Sequence, residues 1–212
     1  MRLHFQEKLE EIRSEVIRMG SEANDMVRSA VEATIQGDLE LAHQVIGQDD
    51  TVDRLERTLL QATVSVVMTE NPVAADLRLC IATLGVVSEL ENIGDDAVKL
   101  CRRAAKLKTQ FPGEMKLALQ EMGDMARHAL GAALRLYSEY SPELAKEIVD
   151  GDKPIDFAYR NARGRIYDLI KANPDATEHL IRTIEAFHSL EHVADHAVAI
   201  AVRMRLLYEP AS

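Results

Sequence analysis

Leu90-Glu91-Asn92-Ile93-Gly94-Asp95-Asp96-Ala97-Val98 returns one hundred positions later as Leu190-Glu191-His192-Val193-Ala194-Asp195-His196-Ala197-Val198. Upstream, the stretch from Val45 to Asp53 matches Ile148 to Asp156 at an offset of 103, pairing Asp49 with Asp152 and Asp53 with Asp156. Nearer the start, Glu22, Asp25, Met26, Arg28 and Ala30 recur as Glu121, Asp124, Met125, Arg127 and Ala129 at an offset of 99. Three blocks in one order, separated by small length changes, mark a duplicated unit of about half the chain.

Helix punctuation divides each copy in the same way. Asn71-Pro72 and Asn173-Pro174 each set a capping residue before a proline suited to a first helical turn. Ser141-Pro142 gives a further start, and Gly37-Asp38 reads as the end of one helix and the cap of the next. Thr109-Gln110-Phe111-Pro112-Gly113 is the strongest break. These signals predict six helices at 3–36, 38–69, 72–107, 114–140, 142–171 and 174–208. Short connections make them antiparallel neighbours. The expected class is all-α, with two tandem homologous three-helix bundles as two domains, 1–109 and 110–212.

Composition agrees with aliphatic helix packing: 47% of residues are hydrophobic but only 4% aromatic, without Trp. A net charge of −10 opposes approach to a polyanion, so nucleic acid is not an expected partner. The acidity is shared, with 19 acids against 13 bases in residues 1–109 and 16 against 12 in the rest, so neither half reads as a charged tail. Cys80 and Cys101 fall on one predicted helix, about 30 Å apart at 1.5 Å per residue, beyond disulfide reach. The opening MRLHFQEKLEEIR lacks the apolar run of a signal peptide, and no stretch has the apolar length of a membrane span. A cytoplasmic location is expected.

Glu91 and Asp95 are four residues apart, about 40° around a helix axis, and so share one stripe at the border of an apolar arc. Glu191 and Asp195 repeat the arrangement. Glu22 with Asp25, and Glu121 with Asp124, are spaced i,i+3 on the first helix of each copy, so four carboxylates per bundle are expected to converge. Carboxylates gathered at a half-buried seam repel, and a hard or borderline cation such as Fe, Mn, Mg or Zn relieves that repulsion. Salt bridges are the competing reading: Lys99 follows Asp95 at i+4, Arg28 follows Asp25 at i+3, and Arg18 precedes Glu22 by four.

The copies also differ. His188, His192 and His196 form an i, i+4, i+8 ladder beside Glu191 and Asp195, where the first copy has Ser88, Asn92 and Asp96. Imidazole there, His196 above all, suits zinc or iron better than an all-oxygen site does. Glu185-Ala186-Phe187-His188 has the Glu-x-x-His spacing of ferritin-like di-iron bundles, which defines the alternative function, a metal-oxidising or metal-storing bundle. That fold needs the motif twice, and the first copy reads Gly85-Val86-Val87-Ser88. No Walker loop, Cys-x-x-Cys or nucleophile elbow is present, so catalytic and cofactor-binding residues are not assigned and the chain is not expected to be an enzyme.

Taken together, Val45 to Asp53, Asn71-Pro72-Val73-Ala74-Ala75-Asp76-Leu77-Arg78, Glu91-Asn92-Ile93-Gly94-Asp95 and Met19-Gly20 resemble the motifs of the PhoU family over essentially the whole chain. The family's signature arginine is Asn92 and His192 here, the second glycine is Ala194, and the second proline segment lacks Asp-Leu-Arg. The resemblance implies paired three-helix bundles, with multinuclear iron or zinc at the Glu/Asp-x-x-x-Asp motifs. It implies a negative regulator of phosphate uptake and the phosphate-starvation response. Its implied partners are the ATPase subunit of the phosphate ABC transporter, a sensor histidine kinase and a second copy of the chain, with the membrane reached only through those partners.

Overall fold

The computed structural model describes residues 2–107 and 111–209; Thr109 and Gln110, and with them the 109/110 boundary, lie outside the described residues. Its α-helices are α1 (Arg2–Gln36), α2 (Leu39–Glu70), α3 (Ala75–Ala104), α4 (Gly113–Ser138), α5 (Pro142–Asp150), α6 (Asp152–Ala172) and α7 (Thr177–Tyr208), with a 3-10 turn at Pro174–Ala176. They form six rods, the fifth being broken. The expectation of an all-α pair of tandem helical units holds.

Local chemistry explains most boundaries. Gly37 at φ +72 ends α1, and the Asp38 carboxylate then accepts from the Leu41 amide at 3.0 Å to start α2. Ser141 caps α5 in the same way, from Leu144 N at 3.2 Å, with Pro142 in the first turn. The expected 142–171 helix is divided at Gly151 because Pro154 has no N–H and its ring crowds the carbonyl four residues back. Thr51 stands at the matching place in α2, which runs unbroken. Asn71 is the left-handed end of α2 at φ 47 rather than the cap of α3, which begins at Ala75 instead of 72. Asn173 makes no side-chain cap either, and Pro174 opens the 3-10 turn before α7.

Each of α1, α3, α7 and α4 touches the next and α4 returns to α1, giving a central four-helix bundle. The outer α2 lies on α1 and α3; α5 and α6 lie on α4 and α7. The halves meet through equivalent helices, α1 with α4 and α3 with α7, and the buried apolar residues of both form one continuous cluster. Cys80 and Cys101 are buried in it as free thiols.

Equivalent residues face each other across the seam, as a pseudo-twofold relation requires. Arg103 of α3 pairs with Glu185 and Ser189 of α7, and Arg203 of α7 pairs with Glu89 at 3.1 Å and lies over Gly85. At the α1–α4 crossing, a Cβ on Gly123 would sit 2.8 Å from Val31 Cγ2. Val31 is buried and β-branched, so it cannot swing aside. Gly123→Val is expected to lower unfolding stability by about 1–3 kcal/mol through overpacking, read by urea denaturation. An unchanged midpoint would mean the crossing is loose.

Candidate functional site

Glu91 and Asp95 of α3 lie against the acids of α2. Glu91 is half-buried, and burial first, then the negative charges of Asp95, Glu56, Asp53 and Asp49, push its pKa up to about 7. Asp49 is raised by burial and by Asp53 and Asp95, with Arg102 opposing. Asp49, Asp53 and Glu56 recur at i, i+4 and i+7, one stripe of α2 facing the border stripe of α3. Ser88 Oγ donates to Glu56 at 3.2 Å, and Lys99 reaches Asp95 at 3.6 Å. Five carboxylates therefore share this seam.

The second copy repeats the seam between α6 and α7. Burial and then Asp156 and Asp195 raise Asp152; burial and then Asp195 raise Glu191. Asp195 is raised by burial and by Asp156, against the pull of His192. Asp152 Oδ1 is buried without a hydrogen-bond partner. The place of Glu56 is taken by Tyr159, whose ring lies 5.7 Å from that of His188.

The first-helix acids do not join these clusters, contrary to the sequence expectation. Glu22 accepts from Arg18 at 2.8 Å, and Asp25 is exposed and paired with Arg28 at 2.9 Å. Glu121 and Asp124 sit on the exposed face of α4, Asp124 beside Arg127 at 3.6 Å. Spacing i,i+3 placed them on one face, but that face carries their own arginines and turns to solvent. The seam partners are instead on α2 and α6. The signal was present in the repeated Asp49/Asp53 and Asp152/Asp156 pairs, which share the four-residue period of Glu91/Asp95.

His196 goes to the α3–α7 interface rather than to the acid cluster of its own copy. Its Nδ1 lies 2.8 Å from Glu89, and its Nε2 lies 3.5 Å from Asp96, the residue at the equivalent position of the first copy. Burial pulls its pKa down, but hydrogen bonds to Asp96 and Glu89 overcome this and hold it up at about 9. A duplicated interface sets like against like, and divergence to Asp96 and His196 turns that meeting into an ion pair. Glu185, the acid of the ferritin-like spacing, is 3.7 Å from Arg103.

Among the described residues, no helix is long and apolar enough to cross a membrane. Comparison with known proteins gives a consistent result. The family model described as the PhoU domain matches residues 16–104 and again residues 119–204. A Pseudomonas putida protein named phosphate-specific transport system accessory protein PhoU homolog is 33% identical over 196 residues, 91% of this chain and 76% of its own length. A Pseudomonas aeruginosa protein of the same name is 32% identical over 200 residues, 93% of this chain and 82% of its own. The crystal structure of PhoU from Pseudomonas aeruginosa superposes with a TM-score of 0.89 at 32% identity, covering 96% of this chain and 98% of that one. The phosphate transport system regulatory protein PhoU from Streptococcus pneumoniae reaches 0.89 at 22% identity over 97% of both chains, a likeness of fold.

Proposed function

The chain belongs to the PhoU family, and from that premise we propose that it is an accessory, regulatory protein of phosphate-specific transport, acting by protein contact and not by catalysis. The observation that carries the reading is that both halves match the family while each keeps a carboxylate seam between an outer and a central helix. In this reading the protein works in the cytoplasm, as a homodimer, and restrains uptake and the starvation response by contacting the transporter ATPase and a sensor histidine kinase. The repeats 1–109 and 110–212 are its two domains. Removing the protein is expected to derepress a phosphate-starvation reporter in phosphate-rich medium, with ATPase and kinase recovered on the tagged chain. A reporter that stays silent would sink the proposal.

The seams fit a cation. Asp49, Asp53, Glu56, Glu91 and Asp95 offer only oxygen, the donor set of hard and borderline ions, and Glu91 is raised by burial first and then by the negative charge of the other four. In the second seam Asp152, Asp156, Glu191 and Asp195 would hold it, and the orphaned Asp152 Oδ1 is an acceptor in want of a positive partner. Iron or zinc, as multinuclear clusters, is the proposed occupant; bound there it supplies charge neutralisation that stiffens the seam. The chain's own contribution is to fix two carboxylate stripes on facing helices, which orients the outer helix as a docking face.

A further inference from the structure

Beyond the acidic seams, α7 carries a second donor set with nitrogen in it. His188, Glu191 and His192 each offer one ligand atom, and these atoms lie within 4.8 Å of one another. His188 Nε2 is 3.6 Å from Glu191 Oε2, and the two imidazole rings are 4.0 Å apart between centroids. Four-coordinate zinc with bonds of about 2.1 Å separates its ligands by about 3.4 Å, so small side-chain rotations bring the three atoms to a common centre. Spacing i and i+4 puts both imidazoles on one helix face, with the acid at i+3 between them.

A second observation is independent of the triad. Asp96 of α3 is 2% exposed; its Oδ1 accepts from Lys99 at 3.0 Å, while its Oδ2 is held only by longer contacts to histidines. That buried oxygen lies between His192 Nδ1 at 3.9 Å and its ion-pair partner His196 Nε2 at 3.5 Å. A buried carboxylate beside Nδ1 takes the Nδ1–H of a ligating histidine, which leaves Nε2 as the ligand and fixes the ring.

We propose that His188, Glu191 and His192 form a binding site for a borderline divalent cation of the zinc class, with Asp96 of the opposite repeat as the positioning residue for His192. Two nitrogens and one carboxylate select zinc over calcium, magnesium or manganese, whereas the first seam is all oxygen. Since Asp96 and the triad belong to different repeats, occupancy ties the α3–α7 seam together.

The inference shares Glu191 with the acidic seam but does not require that seam to bind metal, and titration of the tag-free full chain separates the two. Zinc is titrated calorimetrically after chelator treatment, and cobalt is used as an absorbing probe of nitrogen ligation. His188→Ala with His192→Ala, on half-exposed residues, is expected to abolish the nitrogen-ligated cobalt spectrum and weaken zinc binding at least about 10-fold with helicity unchanged. Asp96→Asn is expected to weaken zinc about 10–100-fold and alter the cobalt spectrum. Asp156→Asn tests the acidic seam alone. If the double histidine variant binds zinc within twofold of the parent, the triad is wrong, whatever Asp156→Asn does. Loss with the histidines and none with Asp156→Asn supports the triad and removes zinc from the second acidic seam. An Asp96→Asn protein that matches the parent overturns the positioning role.

Discussion

Phe187→Ala is expected to cost about 3–5 kcal/mol of unfolding free energy, the largest single-residue effect in this chain. Phe187 is 1% exposed on α7 and meets Phe111, itself buried, at 6.4 Å between ring centroids. Phe111 is where the chain enters the second repeat, so the pair pins the connection to the central bundle. Helix backbones limit collapse into the cavity, so the cavity cost adds to the lost transfer free energy. Urea denaturation at fixed pH measures it, and Phe111→Ala should lower the midpoint in the same direction. A loss under about 1 kcal/mol would show that the site relaxes and that the pair is peripheral to the core.

Glu91→Gln should have the opposite sign in chelator-treated protein and a matching cost in cation binding. Glu91 ionises near 4.5 in the unfolded chain and near 7 in the folded one. Between those values the folded state holds more protons, so stability falls as pH rises from 4.5 through 7 and then levels. After allowance for solvent screening of a half-exposed group, the loss is about 1–2 kcal/mol at pH 8. Glutamine removes the titration: the variant is expected to be more stable than the parent at pH 8 and equal to it at pH 5. It also deletes a ligand, so iron or zinc bound at the first seam should weaken sharply. His196 supplies an internal contrast. With its folded pKa at about 9, its stabilising charge is complete below 6.5 and lost as pH rises from there through 9, so a decline above pH 7 should persist in the variant. Thermal melts at pH 5, 7, 8 and 9 decide the matter; a destabilised Glu91→Gln at pH 8 would mean that the carboxylate makes a favourable contact in the ionised state.

The amino-acid order by itself determined most of the helices, the duplication and the acidic stripes, because each follows from short-range rules; the break at Gly151 and the later start of α3 are the exceptions. Caps act over three residues, proline acts on the carbonyl four back, and a helix places i and i+4 on one face whatever it packs against. Asp38 and Ser141 cap where the sequence says, and Lys99, Arg28 and Arg18 bridge to Asp95, Asp25 and Glu22 as their spacing predicts. Which stripe meets which was decided only by the tertiary structure. Glu22 and Asp25 look like partners of Glu91 along the chain, yet the outer helix α2, not α1, turns its Asp49, Asp53 and Glu56 to the seam. Asp96 and His196 are equivalent residues one hundred positions apart that become partners because the repeats close face to face. Helical periodicity fixes direction around one axis only; the rotation and neighbour of each rod come from the shared apolar core, where burying one side of every helix at once leaves a single arrangement for the charges on the others.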